Sequence, residues 1–288
     1  MEEFRKRFLS SEVPPVPAEK AGFHVIPVPW EATVSYMPGT KNGPDAILDA
    51  SDQLELFDGE GYPGRAGIFT QCPVDCGAGA EAVFARLKSA VLSALRCGAF
   101  PLVLGGEHSL TWGELLALRE WHGEFGVIQF DAHADLRDSY DGTKWSHACA
   151  MRRAADDLAL PLCQVGNRIF CGEELEARSR FHVTAFDARA LHRGGLGMAR
   201  LPEGFPKKVF VTFDVDGLDP SVIPDTGTPV PGGLGWHQAL DLLEQLTEGR
   251  TLIGADVVEL APSPGRVASD FAAASLSYFL MGLSQRRQ

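Results

Sequence analysis

The chain has no apolar run near the ~20 residues that a membrane-spanning helix needs, although 45% of its 288 residues are hydrophobic. A membrane partner is therefore not expected. Positive charge is scarce: 26 Lys and Arg stand against 38 Asp and Glu, a formal net charge of −12. That balance argues against nucleic acid and suits a cationic small molecule. None of the six cysteines, Cys72, Cys76, Cys97, Cys149, Cys163 and Cys171, forms a CxxC pair, so free cytosolic thiols are the expectation. Cys72 and Cys76 lack the second pair that would complete a metal site. Residues 1–8 are charged and lack a signal peptide's apolar core, which predicts a cytoplasmic protein. Repeats, low-complexity blocks and linkers are missing too. The reading is one domain over 21–288, preceded by a proline-bearing arm over 1–20 that reaches a neighbouring subunit.

What is present alternates. Apolar, strand-like runs fall at 23–28, 100–104, 126–130, 162–166, 182–186, 209–213 and 251–257. Helical patterns lie between them, at 44–52, 80–97, 110–119, 147–157, 173–179, 235–247 and 268–283. Strands spaced by helices indicate parallel βαβ units and an α/β fold.

Two of the runs end in acid. Asp131-Ala132-His133-Ala134-Asp135 follows the third, and Asp214-Val215-Asp216 ends the sixth. Residues i and i+2 of a strand share a face, so Asp131 should project with His133, and Asp214 with Asp216. Carboxylates and an imidazole aimed at one place repel without a cation, and hard divalent metals take such oxygen-rich sites. Four residues of straight strand cover roughly 13 Å, too far for Asp131 and Asp135 to meet at one ion. Either the chain curls after His133 or two metals are held about 3.5–4 Å apart. The second run exits into Gly105-Gly106-Glu107-His108-Ser109. The glycines allow a sharp turn, Ser109 or a neighbour can cap the next helix, and His108 joins the other groups at the strands' C-terminal edge. His24, His122, His182, His192 and His237 have no such setting and read as structural or surface residues.

These pieces resemble the ureohydrolases, the arginases and agmatinases. With Ser146-His147-Ala148, Asp214 through Pro220, and Asp256-Val257-Val258-Glu259, they stand in family order between about residues 23 and 283. Tyr36 through Thr40, Gly43 through Ile47 and the 214–234 segment look closer to agmatinases. The resemblance implies a three-layer α/β/α sandwich with a mostly parallel sheet around two Mn2+ ions per chain, in a homo-oligomer, trimer or hexamer. It implies His108, Asp131, His133, Asp135, Asp214 and Asp216 as ligands, with Asp131 and Asp214 bridging. It also implies Asp135 as proton carrier, His147 as an aid to substrate binding or proton relay, and Glu259 as the residue that positions a guanidinium by paired hydrogen bonds. Asp256 takes no assigned role. Two divalent cations offset the four aspartates, and a hydroxide between them brings the cluster to −1, a floor that attracts a guanidinium. Expulsion of an amine then needs a general acid.

The implied reaction is cleavage of agmatine to urea and putrescine, within polyamine biosynthesis. Alternatives are N1-aminopropylagmatine, guanidinobutyrate or arginine as substrate, and, further off, an arginase-fold deacetylase or a non-catalytic regulatory paralogue. The long segments 136–146 and 219–233 follow ligand-bearing strands and should shape the binding site. Asp138 and Asp141 would welcome a tail ammonium while Arg137 and Lys144 pull the other way. The chain departs from many agmatinases after Glu259, where Pro262, Pro264, Gly265 and Arg266 replace the usual aromatic-acidic pattern.

Overall fold

The computed structural model describes residues 6–287. Eight strands form one sheet: β1 (Phe23–Val28), β2 (Ile68–Thr70), β3 (Phe100–Gly105), β4 (Gly126–Phe130), β5 (Leu162–Val165), β6 (Thr184–Phe186), β7 (Lys208–Asp214) and β8 (Thr251–Val258). Their order is β2-β1-β3-β8-β7-β4-β5-β6, and all seven pairings are parallel. The helices are α1 (Gly43–Ser51), α2 (Ala80–Arg96), α3 (Thr111–His122), α4 (Ala150–Arg152), α5 (Gly172–Arg180), α6 (Ala188–Gly194), α7 (Trp236–Thr247) and α8 (Ala268–Arg286).

The strands are mostly apolar because both faces are covered, with Gln129, Gln164, Thr212 and Asp256 as buried exceptions. Leu102 and Leu104 belong to one core, which also holds Ile47, Leu191, Leu242 and Leu280 from α1, α6, α7 and α8. Val103 between them belongs to the other, with Leu87, Leu115, Met151 and Ala177 from α2, α3, α4 and α5. This alternation is the strand period at work, and each such leucine contributes about 1.5–3 kcal/mol on burial. The three-layer expectation is met.

Two local expectations need correction, and two short elements are additional. The described part of the arm lies on its own chain: Phe8, Leu9 and Val13 are buried in the first of these cores. The backbone N–H groups of Phe8 and Leu9 donate to Thr70 Oγ1 (2.9 Å) and Ser51 Oγ (2.8 Å). Residues 1–5 lie outside the described residues. The helix expected over 147–157 is a 3-10 turn, one α-turn and a π-turn. Its ladder is diverted, because the Ala148 carbonyl accepts from the N–H of Arg137 and the N–H of Arg152 donates to the Asp135 carbonyl. Strand β2 and helix α6 went unread, both too short to show a period. Among the described residues no helix is long and apolar enough to cross a membrane.

Candidate active site

The four central strands β3, β8, β7 and β4 point their C-terminal ends at one crevice. β3 and β4 are consecutive among the strands in sequence but separated by β8 and β7, and open parallel sheets bind ligands where the order switches.

His108 arrives from β3 through Gly106. A Cβ there would stand 1.9 Å from the carbonyl oxygen of Trp30, so only glycine lets the turn pass. Ser109 does not cap α3, as expected of it. Its hydroxyl donates to Glu107 Oε1 (2.5 Å) and accepts from Trp30 Nε1 (3.0 Å). Glu107 is buried and draws every donor within reach, including the N–H groups of Ala32 (2.5 Å) and Thr33 (2.6 Å).

Asp131 with His133, and Asp214 with Asp216, do converge, but not by strand alternation, for the chain has left the sheet by His133 and Asp216. Each aspartate instead folds the chain back on itself. Asp131 Oδ1 accepts from the N–H of His133 (2.6 Å), and Asp214 Oδ1 from the N–H of Asp216 (2.8 Å), the turn that short polar side chains favour. Asp135 then takes φ +52°, left-handed backbone that costs a non-glycine residue energy. That curl brings Asp135 back beside Asp131.

All six predicted ligands meet. His108 Nδ1 lies 3.2 Å from Asp131 Oδ2, 3.0 Å from Asp135 Oδ2 and 3.6 Å from Asp214 Oδ2. His133 Nδ1 lies 3.0 Å from Asp216 Oδ2 and 3.5 Å from Asp131 Oδ1. Among the described residues two groups are thus arranged to hold an ion, His108 with Asp131 and Asp135, and Asp131 with His133 and Asp216; neither contains a cysteine. Asp131 gives one oxygen to each group. Asp214 stands at the margin of the first, with Oδ1 engaged by backbone.

The donor set fits a cation on physical grounds. His108 Nδ1 is buried without a hydrogen-bond partner, facing three carboxylate oxygens, while Nε2 is engaged by Thr212 Oγ1 at 2.8 Å. A lone pair and several anions converging in a dry site call for positive charge. Left to protons alone, burial and the Asp131 charge push Asp135 up to about 7. Burial, Asp216 and Asp131 push Asp214 well above the carboxylate range. Burial opposes a charge on His133, yet Asp216 and Asp131 raise it to about 12.

A polar scaffold holds the cluster. Gln129 Nε2 donates to Asp131 Oδ2 (2.7 Å), and Gln164 Nε2 to Gln129 Oε1 (2.6 Å). Arg178 then spans Gln164, Asp187 and Asn167, and Asn167 reaches the carbonyls of Asp131 and His133. Arg168 Nη2 donates to the carbonyls of Asp216 (2.6 Å) and Val230 (2.8 Å). None of these was singled out from sequence. A signal existed for two: Gln129 and Thr212 are lone polar residues in apolar strands, each two positions before a ligand.

A narrow cleft of about 30 Å³ sits over the cluster, lined among others by Ser35, Tyr36, His147, Thr228 and Glu259. It shares His133, Asp135 and His147 with a side chamber of about 170 Å³ walled by Arg137, Tyr140, Ile169 and Glu174. A larger cavity of about 620 Å³, behind Arg168, contains none of the six. Glu259 follows β8 at φ +66°, and its Oε1 accepts from the N–H of His108 at 2.6 Å. Burial and the Glu107 charge drive its carboxyl well above the usual range. His147 Nδ1 lies 3.2 Å from Thr33 Oγ1, and burial lowers its pKa. The loops 136–146 and 219–233 do contribute walls, through Arg137 and Tyr140, and through Gly227 and Thr228.

Neither Asp138 nor Asp141 lines the cleft or the chamber. Asp138 turns away and is held by Arg153 at 2.6 Å, and Asp141 sits exposed in the turn beyond Tyr140. The acid that lines the chamber beside Asp135 is Glu174, unremarked in the sequence. The segment after Glu259 is occupied elsewhere, with Arg266 pairing with Asp225 of the 219–233 loop.

Residues 21–282 match the profile described as the Arginase family. The chain is 37% identical to the N(1)-aminopropylagmatine ureohydrolase of Synechocystis sp., over 98% of this chain and 96% of that one. It is 30% identical to the agmatinase of Pyrococcus horikoshii, over 97% and 98%. The agmatine ureohydrolase of Thermoplasma volcanium shares the fold at a TM-score of 0.85 and 28% identity, over 98% and 95%.

Proposed function

The chain belongs to the arginase family, whose members hydrolyse guanidino C–N bonds, and from that premise we propose that its substrate is N1-aminopropylagmatine rather than agmatine. The observation that carries this reading is the side chamber. It adjoins the cleft and is lined by Glu174 and Tyr140, and a tail with a second, more distant ammonium suits a chamber with an acid and an aromatic ring in its wall. The higher identity to a relative named for that substrate points the same way. Arg137 also lines the chamber, with its guanidinium 5.0 Å over the Tyr140 ring, so the cation-binding end is Glu174's and not the loop's.

In this reading His108, Asp131 and Asp135 hold one ion and Asp131, His133 and Asp216 the other, with Asp214 beside them. Divalent ions held there, manganese in this reading, would supply a water acidified enough to attack near neutral pH. Glu259 orients the guanidinium, with one of its oxygens shared with the His108 N–H. Asp135 takes the proton released by the nucleophile and delivers it to the departing amine nitrogen, because an alkylamide ion is no leaving group. His147, neutral in its buried setting, donates or accepts on the opposite wall. The products are urea and a primary amine.

The test is kcat/KM for urea release from N1-aminopropylagmatine, agmatine, arginine and guanidinobutyrate with one manganese concentration. The expected order puts aminopropylagmatine first. A tenfold or larger preference for any other member overturns the substrate, and no urea from any of them overturns the activity.

A further inference from the structure

Three stretches far apart in the chain meet at one wall of the cleft: 32–33, 107–109 and 146–148. Glu107 is the anchor. Its Oε2 accepts from the N–H groups of Ala32 (2.5 Å) and Thr33 (2.6 Å), and its Oε1 from the hydroxyls of Thr33 (2.8 Å) and Ser109 (2.5 Å). Thr33 passes the hold on to His147. Its Oγ1 accepts from the His147 backbone N–H (3.1 Å) and stands 3.2 Å from Nδ1 of the same residue. One threonine thus grips the backbone and the ring of a histidine 114 positions away, while Glu107 grips the threonine.

A hydroxyl has one hydrogen to give and two lone pairs to accept with. Thr33 gives its hydrogen to Glu107, so toward His147 it can only accept, and the ring must meet it with Nδ1–H. We propose that Thr33 is a positioning residue for His147: it fixes the ring and keeps the proton on Nδ1, so that Nε2 presents a lone pair. Among the described residues Nε2 meets no hydrogen-bond partner, and it is not one of the sealed, unpartnered atoms of the interior. The ring lines both the cleft and the side chamber. Ser146 is the competitor for Nδ1. Its Oγ lies 3.4 Å from that nitrogen and accepts from the Ala148 N–H at 3.4 Å. A hydrogen from Ser146 would leave the ring proton on Nε2, but the shorter contact is the one to Thr33.

The consequence is a choice of what this wall can recognise. Which imidazole nitrogen carries the proton is set by the bond that the other one makes. A guanidinium has only N–H groups to offer and nothing that accepts. A lone pair on Nε2 takes one of those hydrogens, whereas Nε2–H would set donor against donor. This last link rests on the guanidino substrate proposed above; the hold of Thr33 on the ring does not.

The ring proton is read by NMR of the full chain, with 15N-labelled histidine rings and magnesium but no substrate. The His147 signals are those that His147→Gln removes. Wild type should show a protonated Nδ1 and a bare Nε2; Thr33→Ser should keep that pattern, and Thr33→Val should shift it toward Nε2–H. An Nε2–H ring in wild type, or a pattern that Thr33→Val leaves unchanged, overturns the proposal. Neither result depends on urea release, so an inactive wild type would overturn the activity and leave this measurement standing. Kinetics test the positioning role. Thr33→Ser should keep kcat/KM within about threefold, and Thr33→Val should lose about 10- to 100-fold. In a His147→Ala background Thr33→Val should cost little more, because the two residues act as one unit. An undiminished loss in that background, or equal losses from both Thr33 variants, overturns the role. If Thr33→Val does not fold, the wild-type ring decides.

Discussion

Glu259 is hung from His108: its Oε1 accepts the backbone N–H of that histidine at 2.6 Å. The carboxylate assigned to the substrate and an imidazole assigned to the ion therefore move together, and the φ of +66° at Glu259 is backbone strain held at the site. The paired grip expected from sequence must share one oxygen with this bond. Glu259→Gln should keep the fold and the metal content but lower kcat/KM about 10- to 150-fold, the worth of a charged hydrogen bond. Steady-state kinetics beside elemental analysis will show it; metal loss in the variant would assign Glu259 to the ion instead.

Among the described residues Asp131 is the only carboxylate with one oxygen in each donor group, and Asp214 touches one group. Elemental analysis should find two divalent ions per chain in wild type. Asp131→Ala should weaken both sites, and Asp214→Ala should abolish most urea formation while leaving the circular dichroism unchanged. One ion per chain in wild type, or an active Asp214→Ala enzyme, would defeat the two-ion arrangement.

Glu174 also closes the start of α5: its oxygens accept from the N–H groups of Cys171 (2.9 Å) and Leu136 (3.3 Å). Glutamine can keep the bond from the Cys171 N–H while its amide NH2 would face the Leu136 N–H, so Glu174→Gln removes the charge together with the longer of these two bonds. Its KM for N1-aminopropylagmatine should rise about tenfold, with little change for guanidinobutyrate, whose tail is an anion. A parallel rise for both compounds would mean that Glu174 only shapes the wall.

Stability should carry one signature of His24. Its ring is buried, with Nε2 3.0 Å from the Ala18 carbonyl and Nδ1 3.1 Å from Gln71 Nε2, so the neutral ring is satisfied and a second proton would face an amide donor. Burial lowers its pKa below 6.5. The unfolded chain therefore takes up the proton first, and the stability from His24 is full above pH 6.5 and drains as pH falls toward the lowered value. The slope is at most about 1.4 kcal/mol per pH unit. Urea denaturation between pH 7 and 5 should show a steeper loss for wild type than for His24→Gln.

Much of this was legible because strand ends and acids coincide. The six ligands sit where apolar runs stop, and Asp131, His133 and Asp135 stand close enough in the chain to be read as one group. Their convergence, however, depends on two aspartate turns and a left-handed residue, which leave no mark in the residue pattern that predicts strands. Gln129 and Thr212 were visible as single polar residues in apolar strands but offered no reason to prefer them over any other. Glu174 was invisible as a site residue, since it looks like an ordinary acid in the first turn of a helix. Asp138 misled for the converse reason: its sign was right, and Arg153, fifteen residues away, had already claimed it.

The Arg168 guanidinium binds the backbone of Asp216 and of Val230 with the same nitrogen. The 219–233 segment is thus bolted to a ligand residue, and swinging it aside would tear at the cluster itself. The opposite flank of the cleft is made by Ser35, Tyr36 and Met37, where Tyr36 is 74% exposed and, among the described residues, no such tie to the cluster is made. Larger or branched guanidines, and any inhibitor built on them, have room on that flank and in the side chamber, but not by displacing the 219–233 segment.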